Sequence, residues 1–227
     1  MSRDDDRSDA LRLVPVSRET LERLDIYVAL LAKWRRAVNL VSEAGFGQIW
    51  TRHVADSAQL PAFAPDARNW VDMGSGAGFP GMVIAIQLAD KIGACVHLIE
   101  SDHRKCSFLR EVARATGAAA EIHNTRIETG VSEIAVPVDA VTARALAPLP
   151  RLIDFANIWL DAGAIGVFPR GRTAGAHVDF ISVYPHYSIE FPRSRINRAS
   201  EIAIVRNRRE SLASSKAKSP MPGFEQR

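Results

Sequence analysis

Cysteine is nearly missing from this sequence. Only Cys95 and Cys106 occur in 227 residues, and both sit in apolar-patterned stretches where a thiol behaves as a small core hydrophobe. No disulfide framework is expected. The six histidines are scattered, and neither they nor the cysteines show ligand spacing such as C-x2-C, so no metal is expected. Long apolar runs are missing too. The longest, 28–32 and 82–86, fall far short of the roughly 20 residues that span a bilayer, so no membrane partner is expected. The N-terminal MSRDDDRSD is acidic and leads into no apolar stretch, which argues against a secretory signal and for a cytoplasmic protein. There is no internal repeat, and the one low-complexity stretch is the polar ESLASSKAKSP that starts at 210.

A hydrophobic content of 47% suffices for one domain with a full core. The formal charge is only +3, but it is unevenly spread. From Arg193 to Arg227 nine Lys or Arg face three Glu, a surplus that favours a polyanionic partner without proving one. Residues 1–15 are expected to be disordered, residues 16–207 to form the domain with a helical cap over 16–62, and residues 208–227 to be a basic, disordered tail. Ser17 is a predicted N-cap for a helix whose apolar positions Leu21, Leu24, Tyr27, Val28, Leu31, Trp34 and Val38 follow helical spacing. A second helix is predicted over 46–60. Strands are expected at 69–73, 94–100, 119–124, 138–143 and 163–168, alternating with helices, which implies right-handed crossovers and a parallel sheet. Strands 187–191 and 200–206 follow with no helix between them. The expected fold is therefore α/β and Rossmann-like, a mostly parallel seven-stranded sheet ending in an antiparallel hairpin. Methyltransferase sheets end this way, whereas dinucleotide oxidoreductases continue with parallel crossovers.

The segment 70–81, WVDMGSGAGFPG, runs from a strand through a glycine-rich turn into a helix, the arrangement that lets backbone approach a ligand closely. Gly76, Gly78 and Gly81 also satisfy the dinucleotide fingerprint, and Glu100 lies where a ribose-binding acid belongs. NAD therefore stays open on the loop alone. Asp72 shifts the balance towards S-adenosylmethionine, because a carboxylate there suits an ammonium and a sulfonium and would repel a pyrophosphate. The plain alternative is that Asp72 caps amides of its own turn. Glu100 is assigned to the ribose hydroxyls, the alternative being an acid at the start of the helix from Ser101. Ile127 and Glu128 are expected to frame the adenine.

Several segments read together: WRRAVNLVS at 34–42, RHVADS at 52–57, the loop at 72–81, FLRE at 108–111 and TARA at 142–145. They resemble the bacterial small-subunit ribosomal RNA guanine-N7 methyltransferases, the glucose-inhibited division protein B family, over about residues 17–207. The resemblance implies methylation of N7 of a guanine in 16S ribosomal RNA, with S-adenosylmethionine as cofactor and the small ribosomal subunit as partner, and a monomer is expected. It adds Gly74, Phe79 and Arg144 to the cofactor site, and it assigns Asn39, His53, Asp56 and Arg144 to the catalytic centre. Without it, His53 and Asp56, three apart on a helix, read as a local hydrogen-bonded pair. Arg170-Gly171 replaces the family's usual Lys-Gly, and residues 172–184 lack the amphipathic pattern expected there. Arg35, Arg36, Arg104, Lys105 and Arg170 are expected to bind substrate, with Arg110, Arg151 and Arg172 as further phosphate contacts.

Guanine N7 offers a free lone pair, so its methylation needs no general base. Other acceptors demand what this sequence lacks. Attack at pyrimidine C5 uses a cysteine at an active-site strand end, while exocyclic amines use an Asn/Asp-Pro-Pro-aromatic turn where this chain reads RALAPLP. Small-molecule methyltransferases also lack both motifs. Two rivals remain at this point, an NAD-dependent oxidoreductase and an RNA-binding module with an inactive core.

Overall fold

The computed structural model describes residues 3–171 and 183–208. Ser17 Oγ accepts the Thr20 N–H at 3.1 Å and starts α2 (Arg18–Trp34), whose buried side Leu24, Tyr27, Val28 and Leu31 carries the predicted spacing. The helix stops at Trp34, and Val38 is buried from the following turn.

Residues 1–15, expected to be disordered, instead contain α1 (Arg3–Leu13). What holds it is mostly polar. The fully buried Asp6 accepts the backbone N–H of Trp50 at 2.8 Å and of Thr51 at 3.2 Å, and the Thr51 hydroxyl at 2.5 Å. Arg7 adds a bidentate pair to Asp25 at 2.9 and 2.7 Å. Ala10 is the helix's one apolar residue in the core, so no apolar stripe announces α1 in the sequence.

The single helix predicted over 46–60 is also corrected. The chain forms α3 (Glu43–Phe46), a π-helical turn (Trp50–Ala55), α4 (Asp56–Ala58) and a 3-10 turn (Leu60–Phe63). Asp6 occupies the first two amides of the π-helical turn, and Pro61 cannot continue an α-helix.

The sheet has seven strands in the order β3-β2-β1-β4-β5-β7-β6. β1 (Asn69–Met73), β2 (Cys95–Glu100), β3 (Ala120–Asn124), β4 (Ala140–Thr142) and β5 (Ile165–Arg170) are parallel. β7 (Glu201–Asn207) pairs antiparallel with β5, and β6 (Tyr187–Glu190) antiparallel with β7. Each predicted strand is present, with ends shifted by a residue or two. Trp70, Val96 and Leu98 pack under α2, α5 (Gly81–Gln87) and α6 (His103–Thr116). Val71, Met73, Ile99 and Val141 face the other way, towards α7 (Ile127–Glu133) and α8 (Leu149–Asp161). Strand order reverses between β1 and β4, so a crevice opens at the C-terminal ends of these strands. Of the segment 172–184, which lacks the amphipathic pattern expected there, residues 172–182 lie outside the described residues, as does the tail beyond Arg208.

Candidate active site at the switch point

The turn after β1 is built to bring backbone close to a ligand. Gly76 has φ +57°, and a Cβ there would meet nothing nearer than 3.9 Å, so it faces open space. Gly78, at φ +97°, is tight instead: a Cβ would fall 2.8 Å from both Met82 Cβ and the Tyr27 hydroxyl. Tyr27 donates that hydroxyl to the Ala77 carbonyl at 2.5 Å, fastening the loop to α2. Behind the loop, Glu100 Oε2 accepts the Gly76 N–H at 2.9 Å and Oε1 accepts the Asp102 N–H at 2.8 Å. Each oxygen keeps a lone pair for a further donor, so Glu100 supports the loop and still has capacity for ribose hydroxyls.

Asp72 shows the plainer of its two roles. Its carboxylate is fully buried, and Oδ2 accepts the Gly81 N–H at 3.1 Å, which caps the turn's own helix. Burial pushes its carboxyl up to about 7, against the pull of the Ser75 and Gly81 hydrogen bonds. Oδ1 is buried with no partner. A positive charge nearby would favour the ionised form, so the orphaned oxygen and the open glycine cradle fit a cationic ligand.

Two adjoining cavities lie above this turn. A crevice of about 320 Å³ is walled by Leu40, Val41, Ser42, Gly74, Gly76 and Phe79. A larger cavity of about 500 Å³ is walled by Thr51, Arg52, Asp56, Arg170, Asn197 and Glu201. His53 and Arg144 line both. The two side chains are locked together: Arg144 Nη2 lies 2.7 Å from His53 Nδ1, and Nη1 donates to the Arg52 carbonyl at 3.2 Å. Guanidinium has no acceptor, so His53 Nδ1 must carry its lone pair towards Arg144. Burial, then Arg144, then Arg52 push His53 down to about 3, and the ring is neutral at neutral pH. Phe79 packs against both, 5.0 Å from the His53 ring and 5.3 Å from the guanidinium. Ala145, next in the chain, has φ +54°, a strained conformation of the kind that collects at functional sites.

Asp56 faces the larger cavity. Burial raises its carboxyl, while Arg144, Ser194 and Gln59 oppose the rise. Gln59 is the residue sequence reading missed. Its buried amide donates to Asp56 Oδ1 and Ser194 Oγ, both at 3.0 Å, and its oxygen accepts the Arg195 N–H at 2.9 Å. It thereby ties the π-helical turn's successor, α4, to the β6–β7 connection. Its place three residues after Asp56 was the available signal.

The family model described as rRNA small subunit methyltransferase G, GidB, matches residues 20–179. The chain belongs to this family. It is 46% identical over 190 residues to the Ribosomal RNA small subunit methyltransferase G of Bradyrhizobium diazoefficiens, covering 84% of this chain and 73% of that one. With the protein of the same name from Parvibaculum lavamentivorans it shares 52% over 161 residues, 70% of this chain and 71% of that one. In fold it is similar to an O-methyltransferase from Bacillus cereus solved in complex with SAH, with a TM-score of 0.58 at 16% identity over 90% of this chain and 97% of that one.

For this family member, the remaining expected site residues divide sharply. Asn39 is exposed and precedes the crevice-lining 40–42 segment. Ile127 and Glu128 open α7 and line neither cavity, Ile127 being half-buried and Glu128 exposed. Arg35 is taken up internally, paired with Glu43 and stacked 4.1 Å over Phe46. Arg36, Arg104 and Arg110 are exposed, and Lys105 is half-buried beside the Asp102 cap of α6. Arg151 lies over Phe155 at 4.4 Å. Arg170 lines the larger cavity, 5.3 Å over Phe191, while Arg172 lies outside the described residues. Among the described residues no helix is long and apolar enough to cross a membrane.

Proposed function

We propose that the protein methylates N7 of a guanine in small-subunit, 16S ribosomal RNA, with S-adenosylmethionine in the glycine-loop crevice and the guanine in the cavity beside it. The observation that carries this reading is the common wall of His53 and Arg144 between the two spaces. When bound, S-adenosylmethionine supplies a methyl on a sulfonium that becomes neutral as the methyl leaves. Gly76 gives it room, Glu100 keeps lone pairs for its ribose, and Asp72 sets a negative potential beneath the loop.

N7 attacks with its own lone pair, so the site needs no proton acceptor and must instead align two reactants. A neutral His53 fits that demand, because it fixes the Arg144 guanidinium without adding charge. Arg144 cannot take N7 and O6 together in the usual bidentate way, since that would block the attacking lone pair. Its proper target is O6 or a phosphate. Asp56 is placed to accept from the donor edge of the base, and its negative charge favours a purine that becomes cationic. Arg170 and the exposed Arg52, Arg193, Arg195 and Arg198 supply phosphate contacts around the cavity. This reading places the enzyme in the cytoplasm as a monomer, with no metal in the transfer step.

The test is methyl transfer to small subunits from a strain lacking this gene, with the product located by mass mapping, beside calorimetric titration with S-adenosylmethionine and NAD. One new methyl at guanine N7 and heat from S-adenosylmethionine alone support the reading. Transfer to another atom, or heat from NAD alone, overturns it.

A further inference from the structure

Away from the crevice, the outer edge of the sheet carries a second cluster of donor groups. Cys95 and His97 alternate on β2, Glu121 and His123 on the edge strand β3, and the register pairs His97 with Glu121. Alternate residues of a strand share a face, and paired residues of neighbouring strands point the same way. All four side chains therefore emerge on one side. Ligand atoms of Cys95, His97 and Glu121 lie within 4.8 Å of one another. His97 Nδ1 stands 3.1 Å from His123 Nε2 and 3.5 Å from Glu121 Oε2, and His123 Nε2 is 3.8 Å from Glu121 Oε1.

We infer that Cys95, His97, Glu121 and His123 form a binding site for a zinc-class divalent ion that clamps β3 to β2. Zinc bonds of about 2.0–2.1 Å to nitrogen and oxygen imply ligand separations of roughly 3.3 Å in a tetrahedron. The separations of 3.1, 3.5 and 3.8 Å among His97, Glu121 and His123 bracket that value, and the Cys95 sulfur lies within 4.8 Å of the ligand atoms of His97 and Glu121. Without an ion, the 3.1 Å contact between the two ring nitrogens is an ordinary N–H···N hydrogen bond between neutral imidazoles, and an ion would take the lone pairs of both. A second feature points the same way: the far nitrogen of His123, Nδ1, lies 3.8 Å from Glu133 Oε2 on α7. A carboxylate behind a histidine is the usual outer support of a metal ligand. One thiolate, two imidazoles and one carboxylate suit zinc better than calcium or magnesium, which prefer oxygen alone. Binding would displace the Cys95 thiol proton to solvent, leaving thiolate as ligand. The pattern escapes a scan for C-x2-C because the ligands are C-x-H and E-x-H on two separate strands.

The test uses the full chain after chelator treatment, titrated with Co2+ and then with Zn2+. Wild type should bind one ion per chain and show a thiolate-to-cobalt charge-transfer band that Zn2+ bleaches. Cys95→Ser should abolish the band and weaken Zn2+ at least tenfold, and Glu133→Gln should weaken it about tenfold. Zn2+ should raise the melting temperature of wild type and not of Cys95→Ser, and metal-free melting temperatures should match if both fold alike. Methyl transfer by Cys95→Ser should equal that of wild type. Absence of the band in wild type, or Zn2+ affinity unchanged by Cys95→Ser, overturns the inference.

Discussion

The crevice proposed for the cofactor and the cavity proposed for the acceptor base meet at His53 and Arg144, yet their walls are made in different ways. The glycine turn is one uninterrupted stretch, shaped mainly by contacts from the two adjacent strands β1 and β2, from Asp72 to Gly81 and from Glu100 to Gly76, with the Tyr27 hydroxyl of α2 as a distant tie. The acceptor wall joins the π-helical turn and α4, Arg144 after β4, Arg170 at the end of β5 and the β6–β7 connection. A local loop is set by its own backbone conformation. A wall of distant segments depends on whatever fastens the segments together, which here means Arg144, Gln59 and Asp6.

The largest expected effect lies where the two walls join. Arg144→Ala removes the donor to both His53 Nδ1 and the Arg52 carbonyl, freeing the partition between cofactor and base. If alignment supplies most of the rate, turnover should drop on the order of a hundredfold. Arg144→Lys should recover only part of it, because one ammonium cannot span two acceptors in the planar fork. Steady-state kinetics with small subunits, read beside melting temperatures, checks this. Near-wild-type turnover by the alanine variant would reduce Arg144 to a structural residue.

Next comes a test confined to the local wall. Gly76→Leu puts a side chain into the open space of the crevice at φ +57°, so S-adenosylmethionine affinity should fall more than tenfold. The left-handed conformation costs the fold roughly 1–2 kcal/mol. Gly76→Asn, which tolerates that conformation, should spare stability and still weaken the cofactor. Equal cofactor binding by the leucine variant would show that the ligand does not pass over this glycine.

The same contrast explains what could be read in advance. Strand positions were legible because buried parallel strands are short apolar runs between turn signals, and β1 to β7 fall where those runs lie. The glycine loop was legible because it is one contiguous stretch, and Glu100 because the strand–turn–helix–strand unit from β1 to β2 returns the end of β2 to the side of that turn. His53, Asp56 and Arg144 entered through resemblance alone, since nothing in the sequence shows that residues 53 and 144 touch. Arg35 looked like an RNA contact because its partner Glu43 sits across a turn. Asp72 was read as a ligand contact, but its depth beneath the loop is a property of the folded core. α1 was missed because its anchor is one carboxylate meeting two amides 44 and 45 positions away.

The walls should also differ in how stability depends on pH. His53, pushed down to about 3 from 6.5, binds fewer protons in the folded state than in the unfolded chain between those values. Its contribution is present above pH 6.5 and is lost as pH falls through that window. Asp72, pushed up to about 7 from 3.8, has the opposite sign: the folded state keeps a proton that the unfolded chain releases, so stability is lost as pH rises through the window. Urea unfolding of wild type, His53→Gln and Asp72→Asn at several pH values resolves the two. The wild-type advantage over His53→Gln should grow from pH 4 to 6.5, whereas the advantage over Asp72→Asn should shrink. Parallel curves would mean that neither group titrates differently on folding.

The smallest effect on transfer is expected farthest from the chemistry, at Asp6. This carboxylate is fully buried and holds the amides of Trp50 and Thr51 at the start of the turn that carries Arg52 and His53. Asp6→Ala leaves those amides without their acceptor and removes the anchor of α1, much as loss of a helix cap does, at a cost of about 1–2 kcal/mol. Asp6→Asn keeps one acceptor oxygen, so it should recover part of that loss. Because His53 is also held by Arg144 and Phe79, the turn should shift little, and transfer should fall by no more than a few-fold while cofactor affinity stays near wild type. Chemical unfolding and initial rates on small subunits would separate these outcomes. Unchanged stability in Asp6→Ala would mean that the contact contributes nothing net. A loss of transfer as deep as that of Arg144→Ala would show that α1 positions the acceptor wall as directly as the arginine does.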